Sequence, residues 1–127
     1  MTSAFAAIVL GLLAGAAALL PPAVPPRGER LYRQCFACHA LEPGRDTPAG
    51  PSLHAVVGGP VASRPGFDYS PALRRFAARH PVWTPALLDG FLADPEALVP
   101  GTEMGFVGLD DPRDRAALVQ WLDTQDD

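Results

Sequence analysis

Cys35-Phe36-Ala37-Cys38-His39 is the stretch that decides how this chain is read. Cys35 and Cys38 are its only cysteines, two residues apart, and a histidine follows directly. The pattern C-x-x-C-H is the attachment signature of c-type haem. In that chemistry both thiols add across porphyrin vinyl groups and become thioethers. Two intervening residues at the start of a turn let both sulfurs reach one porphyrin edge. His39 then carries its imidazole under the ring to the iron as the proximal ligand. Other chemistries also use a C-x-x-C pair. A thioredoxin-like pair expects a βαβ context, which the pattern of this chain does not supply. A structural zinc site needs four ligands, and there is no second cysteine pair. A plain disulfide does not require the adjoining histidine.

Composition bounds what surrounds the motif. The 127 residues make one domain at most once the first two dozen are set aside. A domain of roughly 100 residues buries only a modest core, so a haem would itself be a large apolar core element. The formal net charge is −4 and the pI about 5.2. All ten basic residues are arginine. No basic patch of the kind that binds nucleic acid is visible. Fifteen prolines and twelve glycines favour short helices and ordered loops over sheet.

Residues 1–20 read as a separate unit. No charged side chain occurs before Arg27, and Ala4 to Leu20 is apolar throughout. As a helix that run would span ~25 Å, against a hydrocarbon core of ~30 Å. One reading is a cleaved secretory signal with Ala14-Gly15-Ala16 as its small-residue site, although a basic n-region is missing. The other is a retained membrane anchor. The run length and the connector Pro21-Pro22-Ala23-Val24-Pro25-Pro26, an extended semi-rigid spacer, favour the anchor. Arg27, Arg30 and Arg33 argue for a cytoplasmic C-terminal side. Covalent haem attachment takes place outside the cytoplasmic membrane and argues the other way. We give the chemistry more weight, and either reading then puts the domain in the periplasm. The expected organisation is an apolar segment over 1–20, a Pro-rich linker over 21–27 and a haem domain over 28–127.

The domain is expected to be all-α. A first helix is predicted from about Gly28 to Ala40, with Leu31, Tyr32 and Cys35 on a narrow apolar face. From Leu41 to about Tyr69 periodicity is weak and breakers are many, which predicts a long loop. Such a loop in a compact domain is accounted for if it wraps a cofactor. Ser70-Pro71, Thr84-Pro85 and Asp111-Pro112 each set an N-cap oxygen before proline at the first helical position. Asp94-Pro95 repeats the device for a single turn. Helices are therefore predicted at about 71–79, 85–93, 95–98 and 112–124. The last is amphipathic, with Ala117, Leu118, Trp121 and Leu122 on one face, and should pack on the first.

Pro100-Gly101-Thr102-Glu103-Met104-Gly105-Phe106 is the second informative stretch. A methionine in a Gly-rich loop is adaptable packing in isolation. Beside a haem its thioether becomes a soft axial ligand that favours reduced iron. Filling both axial positions also keeps substrates from the metal, which suits a carrier. His54 and His80 read as solvated or capping histidines, His80 being the fallback ligand should Met104 fail.

Taken together, residues 28–122 resemble the class I cytochromes c, the mitochondrial and bacterial soluble type. The matching pieces run in order: Gly28 and Tyr32, Cys35 to His39, Gly50-Pro51-Ser52-Leu53-His54, Pro65 to Ser70, Trp83-Thr84, Pro100 to Phe106, and Leu118 with Trp121. The resemblance implies a small fold of short helices and long loops around one covalent haem c, with terminal helices packed together. It implies His39 and Met104 as axial ligands of the iron. It implies that the Pro51 carbonyl accepts the other ring N–H of His39. Tyr69 and Trp83 would hydrogen-bond a haem propionate, and Ser70 and Thr102 would contact the propionates as well. The implied role is a one-electron carrier between a quinol-oxidising bc complex and a terminal oxidase or photosynthetic reaction centre. It would work on the periplasmic side of a bacterial membrane, anchored if residues 1–20 are retained. Alternatives are an electron-entry subunit of a larger oxidoreductase, a haem peroxidase or a gas sensor. The chain departs from the family at four places, one being a stretch between Tyr69 and Trp83 a few residues longer than in the mitochondrial proteins. Gly59 stands where a propionate-binding arginine is common, with Arg64 as an unassigned substitute. Phe91 stands where many members set a tyrosine against the methionine sulfur. Glu103 stands where lysine is frequent.

Overall fold

The computed structural model describes residues 15 and 19–126. Five α-helices follow in chain order: α1 Arg27–Tyr32, α2 Pro71–Arg79, α3 Pro85–Ala93, α4 Pro95–Leu98 and α5 Pro112–Asp123. A short 3₁₀ turn, Thr124–Asp126, follows α5. Of the segment 1–20 only Gly15, Leu19 and Leu20 are described, so the anchor and signal readings lie outside the described residues. No described helix is long and apolar enough to cross a membrane.

Helices α2 to α5 begin where local chemistry sets them. Ser70 Oγ accepts the Leu73 amide at 3.1 Å. Thr84 Oγ1 accepts that of Leu87 at 3.2 Å, and Asp94 Oδ1 that of Ala97 at 3.1 Å. Asp111 Oδ1 accepts the Arg113 amide at 2.8 Å. In each case the next residue is a proline, whose missing N–H would have had no partner there anyway. These are the helices expected from the sequence, within one residue at each end.

The first helix is shorter than expected. Regular α-geometry stops at Tyr32, not at Ala40. Beyond it the bonds close largely at three-residue spacing: Gln34 to Leu31, Cys35 to Tyr32 at 2.7 Å and Cys38 to Cys35 at 3.0 Å. Two four-residue bonds persist, Phe36 to Tyr32 at 3.2 Å and His39 to Cys35 at 2.9 Å, and past them side chains take the next carbonyls. Thr47 Oγ1 donates to the Cys38 carbonyl at 2.8 Å, and the Tyr32 hydroxyl to the His39 carbonyl at 2.7 Å. The cysteine motif therefore sits on tightened turns stitched to a distant loop.

α1 crosses α5 at Gly28. A Cβ there would lie 2.3 Å from Trp121 Cβ and 2.4 Å from the Ala117 carbonyl oxygen, so only glycine permits this approach. Tyr32 packs its ring on Trp121, centroids 5.1 Å apart. Arg27 ties the same corner, its Nε donating to Asp114 at 2.6 Å. The core joins α2, α3 and α5 through Phe76, Leu88, Leu92, Leu118 and Leu122, all buried.

Residues 41–69 form the expected long loop, built as successive turns. Part of it pairs with the segment before α3. Gly58 donates to the Trp83 carbonyl at 2.7 Å, Trp83 to that of Gly59 at 2.8 Å, and Val61 to that of Pro81 at 2.9 Å. This short antiparallel contact turns the Trp83 side chain inward, where it is buried. Among the described residues there is no strand beyond two isolated bridges.

Candidate functional site

A cavity of about 640 Å³ opens between the 41–69 loop, α3, α5 and the methionine loop. It is lined by Cys35, His39, Pro51, Tyr69, Ser70, Trp83, Thr102 and Met104, so the fold gathers every site residue read from the sequence except Cys38. Cys38 is exposed beside it. Leu53, Val56, Leu88, Leu92, Leu118 and Leu122 supply apolar walls. The volume lies within the ~300–1,000 Å³ usual for cofactor pockets.

His39 is held in a defined orientation. Its Nδ1 lies 2.7 Å from the Pro51 carbonyl oxygen, which makes Nδ1 the protonated nitrogen and leaves Nε2 a free lone pair. Nε2 has no partner among the described residues. The approach depends on Gly50, where a Cβ would stand 2.6 Å from His39 Cε1 and 2.8 Å from Nδ1. Thr47 holds that turn: its Oγ1 accepts the Ala49 and Gly50 amides at 3.2 and 3.1 Å while donating to Cys38. Asp46 Oδ1 accepts the Ser52 amide at 2.9 Å, and buried Ser52 donates its hydroxyl to the Glu42 carbonyl at 2.6 Å.

The Cys35 thiol does not have the electrostatics of an exchange thiol. Burial, with Cys38 adding to it, pushes the Cys35 thiol up to about 11. Thiol–disulfide catalysts need the opposite shift, toward thiolate at neutral pH. Among the described residues no group of three His, Cys, Asp or Glu side chains could hold a metal ion, so zinc lacks a donor set.

Met104 faces the same cavity from a different segment. Thr102 Oγ1 accepts its amide at 3.3 Å, which orders the loop on which the sulfur is carried. Phe91 also lines the cavity, 5.2 Å from Trp83 between ring centroids, and offers no hydroxyl to the sulfur. His80 is not among the lining residues; its ring lies against Phe76 at 4.6 Å.

Tyr69, Ser70 and Arg64 adjoin one another and form a polar end of the cavity, whose lining also includes Trp83. Tyr69 is buried and its hydroxyl accepts the Arg64 amide at 3.0 Å, which leaves its own O–H free to donate. The Trp83 indole N–H has no acceptor among the described residues. Ser70 Oγ is already the acceptor that caps α2, so only its proton is available to a ligand. A soft donor, an imidazole nitrogen, two adjacent thiols and unpaired donors at one end of an apolar pocket fit a haem with its propionates at that end.

Sequence reasoning passed over the frame that aims these groups. Thr47 had a readable signal, since threonine before Pro-x-Gly is a hydroxyl-stabilised turn. Asp46 and Ser52 had none, because their partners come from the turned loop itself.

No family model matches the chain. It is 44% identical over 101 residues to cytochrome c2 of Rhodomicrobium vannielii, covering 80% of this chain and 78% of that one. It is 39% identical over 105 residues to cytochrome c2 of Rhodopila globiformis, covering 82% and 95%. Among solved structures, cytochrome cH from Methylobacterium extorquens superposes with a TM-score of 0.69 at 35% identity, covering 77% of this chain and 95% of that one.

Proposed function

The chain belongs to the class I cytochromes c, and from that premise we propose that it shuttles electrons between a quinol-oxidising bc complex and a terminal oxidase or photosynthetic reaction centre. It is an electron carrier with one covalently bound c-type haem, and not an enzyme. The haem supplies an iron that takes up and gives back a single electron. In our reading Cys35 and Cys38 would hold it covalently, and His39 and Met104 would ligate its iron. The Pro51 carbonyl orients His39 and raises its basicity. Tyr69 and Trp83 donate to a propionate, with Ser70 and Thr102 beside them. The apolar walls exclude water, so little around the iron need reorganise when its charge changes. The work is done on the periplasmic side of a bacterial membrane, with residues 1–20 as the anchor if they are retained.

The observation that supports this reading most is that His39 and Met104, from segments 65 residues apart in number, line one cavity. A closed, six-coordinate iron suits a carrier and excludes exogenous ligands. The test is carbon monoxide binding by the ferrous protein at neutral pH. We expect none on mixing. Ready binding would mean an open position, and would favour a gas-sensing role over the carrier.

A further inference from the structure

We propose that Arg64 is the positioning residue that neutralises the haem propionates in this protein, in place of the arginine absent at Gly59. The inference rests on the reading that the 640 Å³ cavity holds the haem.

Three observations lead there. First, position 59 is closed to any side chain. A Cβ on Gly59 would lie 2.2 Å from the Ala55 carbonyl oxygen, because the loop turns back on itself with Ala55 at φ +53° and Gly58 at φ +77°. The oxygen is backbone and cannot step aside. Second, Arg64 is the only one of the ten arginines whose side chain lines the cavity, and the chain has no lysine to compete with it. Third, Arg64 is held at the polar end. Its amide donates to the Tyr69 hydroxyl at 3.0 Å, so it adjoins the buried tyrosine that we assign to a propionate. Its Nε donates to the Ser52 carbonyl at 3.2 Å and one Nη to the His54 carbonyl at 2.9 Å. Nη1 is left without a partner among the described residues.

The chemistry requires such a group. A carboxylate set against an apolar cavity is costly unless a cation or several donors compensate it. A guanidinium suits the task, since it stays charged at every relevant pH and offers a planar fork of donors. Asp46 lies 3.8 Å from Arg64 Nε, with both side chains about three-quarters buried, so this carboxylate offsets part of the arginine charge. The two residues therefore push the iron in opposite senses. The cation at this end favours the ferrous state, and Asp46 moderates it.

The test is the midpoint potential of the purified protein with its haem covalently attached. Arg64→Ala should lower it. Arg64→Lys keeps the charge without the fork to the two carbonyls and should recover most of the loss. Asp46→Asn keeps an oxygen for the Ser52 amide, removes the charge, and should raise the potential. Recovery by Arg64→Lys, which keeps the charge but not the fork, is what a merely structural strut would not produce, and Asp46→Asn gives the sign of the local field even if Arg64→Ala fails to mature. A potential that falls equally in Arg64→Ala and Arg64→Lys, with no response to Asp46→Asn, would overturn the assignment. If intact mass shows no haem on the wild-type protein, the placement of the haem itself fails instead.

Discussion

The His39 ring nitrogen Nδ1 and the Pro51 carbonyl oxygen lie 2.7 Å apart, twelve residues removed in sequence. This contact decides which imidazole nitrogen is free to meet a metal. It exists because Gly50 lets the backbone come within van der Waals reach of the ring.

Gly50→Ala should therefore damage the site directly. Its new Cβ would meet His39 Cε1 at 2.6 Å and the Cys38 carbonyl at 2.8 Å, so the ring or the turn must shift. Overpacking of this kind costs about 1–3 kcal/mol. Loss of the partner that orients a ligand weakens metal binding by about 10–100-fold. The expected outcome is a lower denaturant midpoint together with a ferrous form that now binds carbon monoxide. A variant with unchanged ligand exclusion would show that the Pro51 contact is not needed to hold His39.

Gly28→Ala tests the α1–α5 crossing. Alanine is the better helix former by about 1 kcal/mol. The clash with Trp121 Cβ at 2.3 Å and the Ala117 carbonyl at 2.4 Å should outweigh that gain, since neither atom is the end of a flexible side chain. We expect a net loss of about 1–3 kcal/mol in urea unfolding. The haem should stay covalently attached, because the crossing lies apart from the cysteine turns.

Asp111 sets part of the acid response. Its hydrogen bonds from the Arg113 side chain and amide hold its carboxyl at about 2, below the ordinary 3.8. The folded state thus keeps this carboxylate ionised at pH values where the unfolded chain has protonated it. The stabilisation is complete above the ordinary value and fades as pH falls toward about 2. The stability gap between wild type and Asp111→Ala should be constant from pH 7 to about pH 5 and then narrow. Urea midpoints measured across that range check the sign. A gap that widens on acidification would contradict it.

Partner choice can be tested through salt. With no lysine and a net charge of −4, the chain cannot present the lysine ring by which many carriers are steered. If residues 1–20 tether the domain, local concentration replaces long-range steering. Electron transfer to a membrane oxidase should then depend weakly on ionic strength. A steep fall in rate with added salt would count against tethering.

What was legible in the sequence was whatever is local. The cysteine motif places three reactive atoms within five residues. The four Asx/Ser/Thr-Pro pairs mark helix starts because each cap reaches only two or three residues ahead, and α2 to α5 begin at those prolines. Resemblance supplied the cavity residues, since spaced motifs survive where loop shape cannot be read. The end of α1 was not legible. Regular α-geometry gives way to turns from Arg33 onward, and past His39 the Cys38 and His39 carbonyls go to Thr47 and Tyr32, a matter of where a loop returns.

The same division holds at the polar end of the cavity. The sequence by itself pointed to a haem held through Cys35 and Cys38, offered His39 and Met104 as its donors, and left position 59 without a cation. Only the tertiary structure decided why: the Ala55 carbonyl fills the space a side chain at 59 would need. It also decided that Arg64, and none of the other nine arginines, reaches the cavity. Caps and covalent motifs are satisfied by near neighbours in the chain. A charge at a cavity wall depends on how glycine-rich turns with left-handed residues fold back, and no periodicity in residues 41–69 encodes that path.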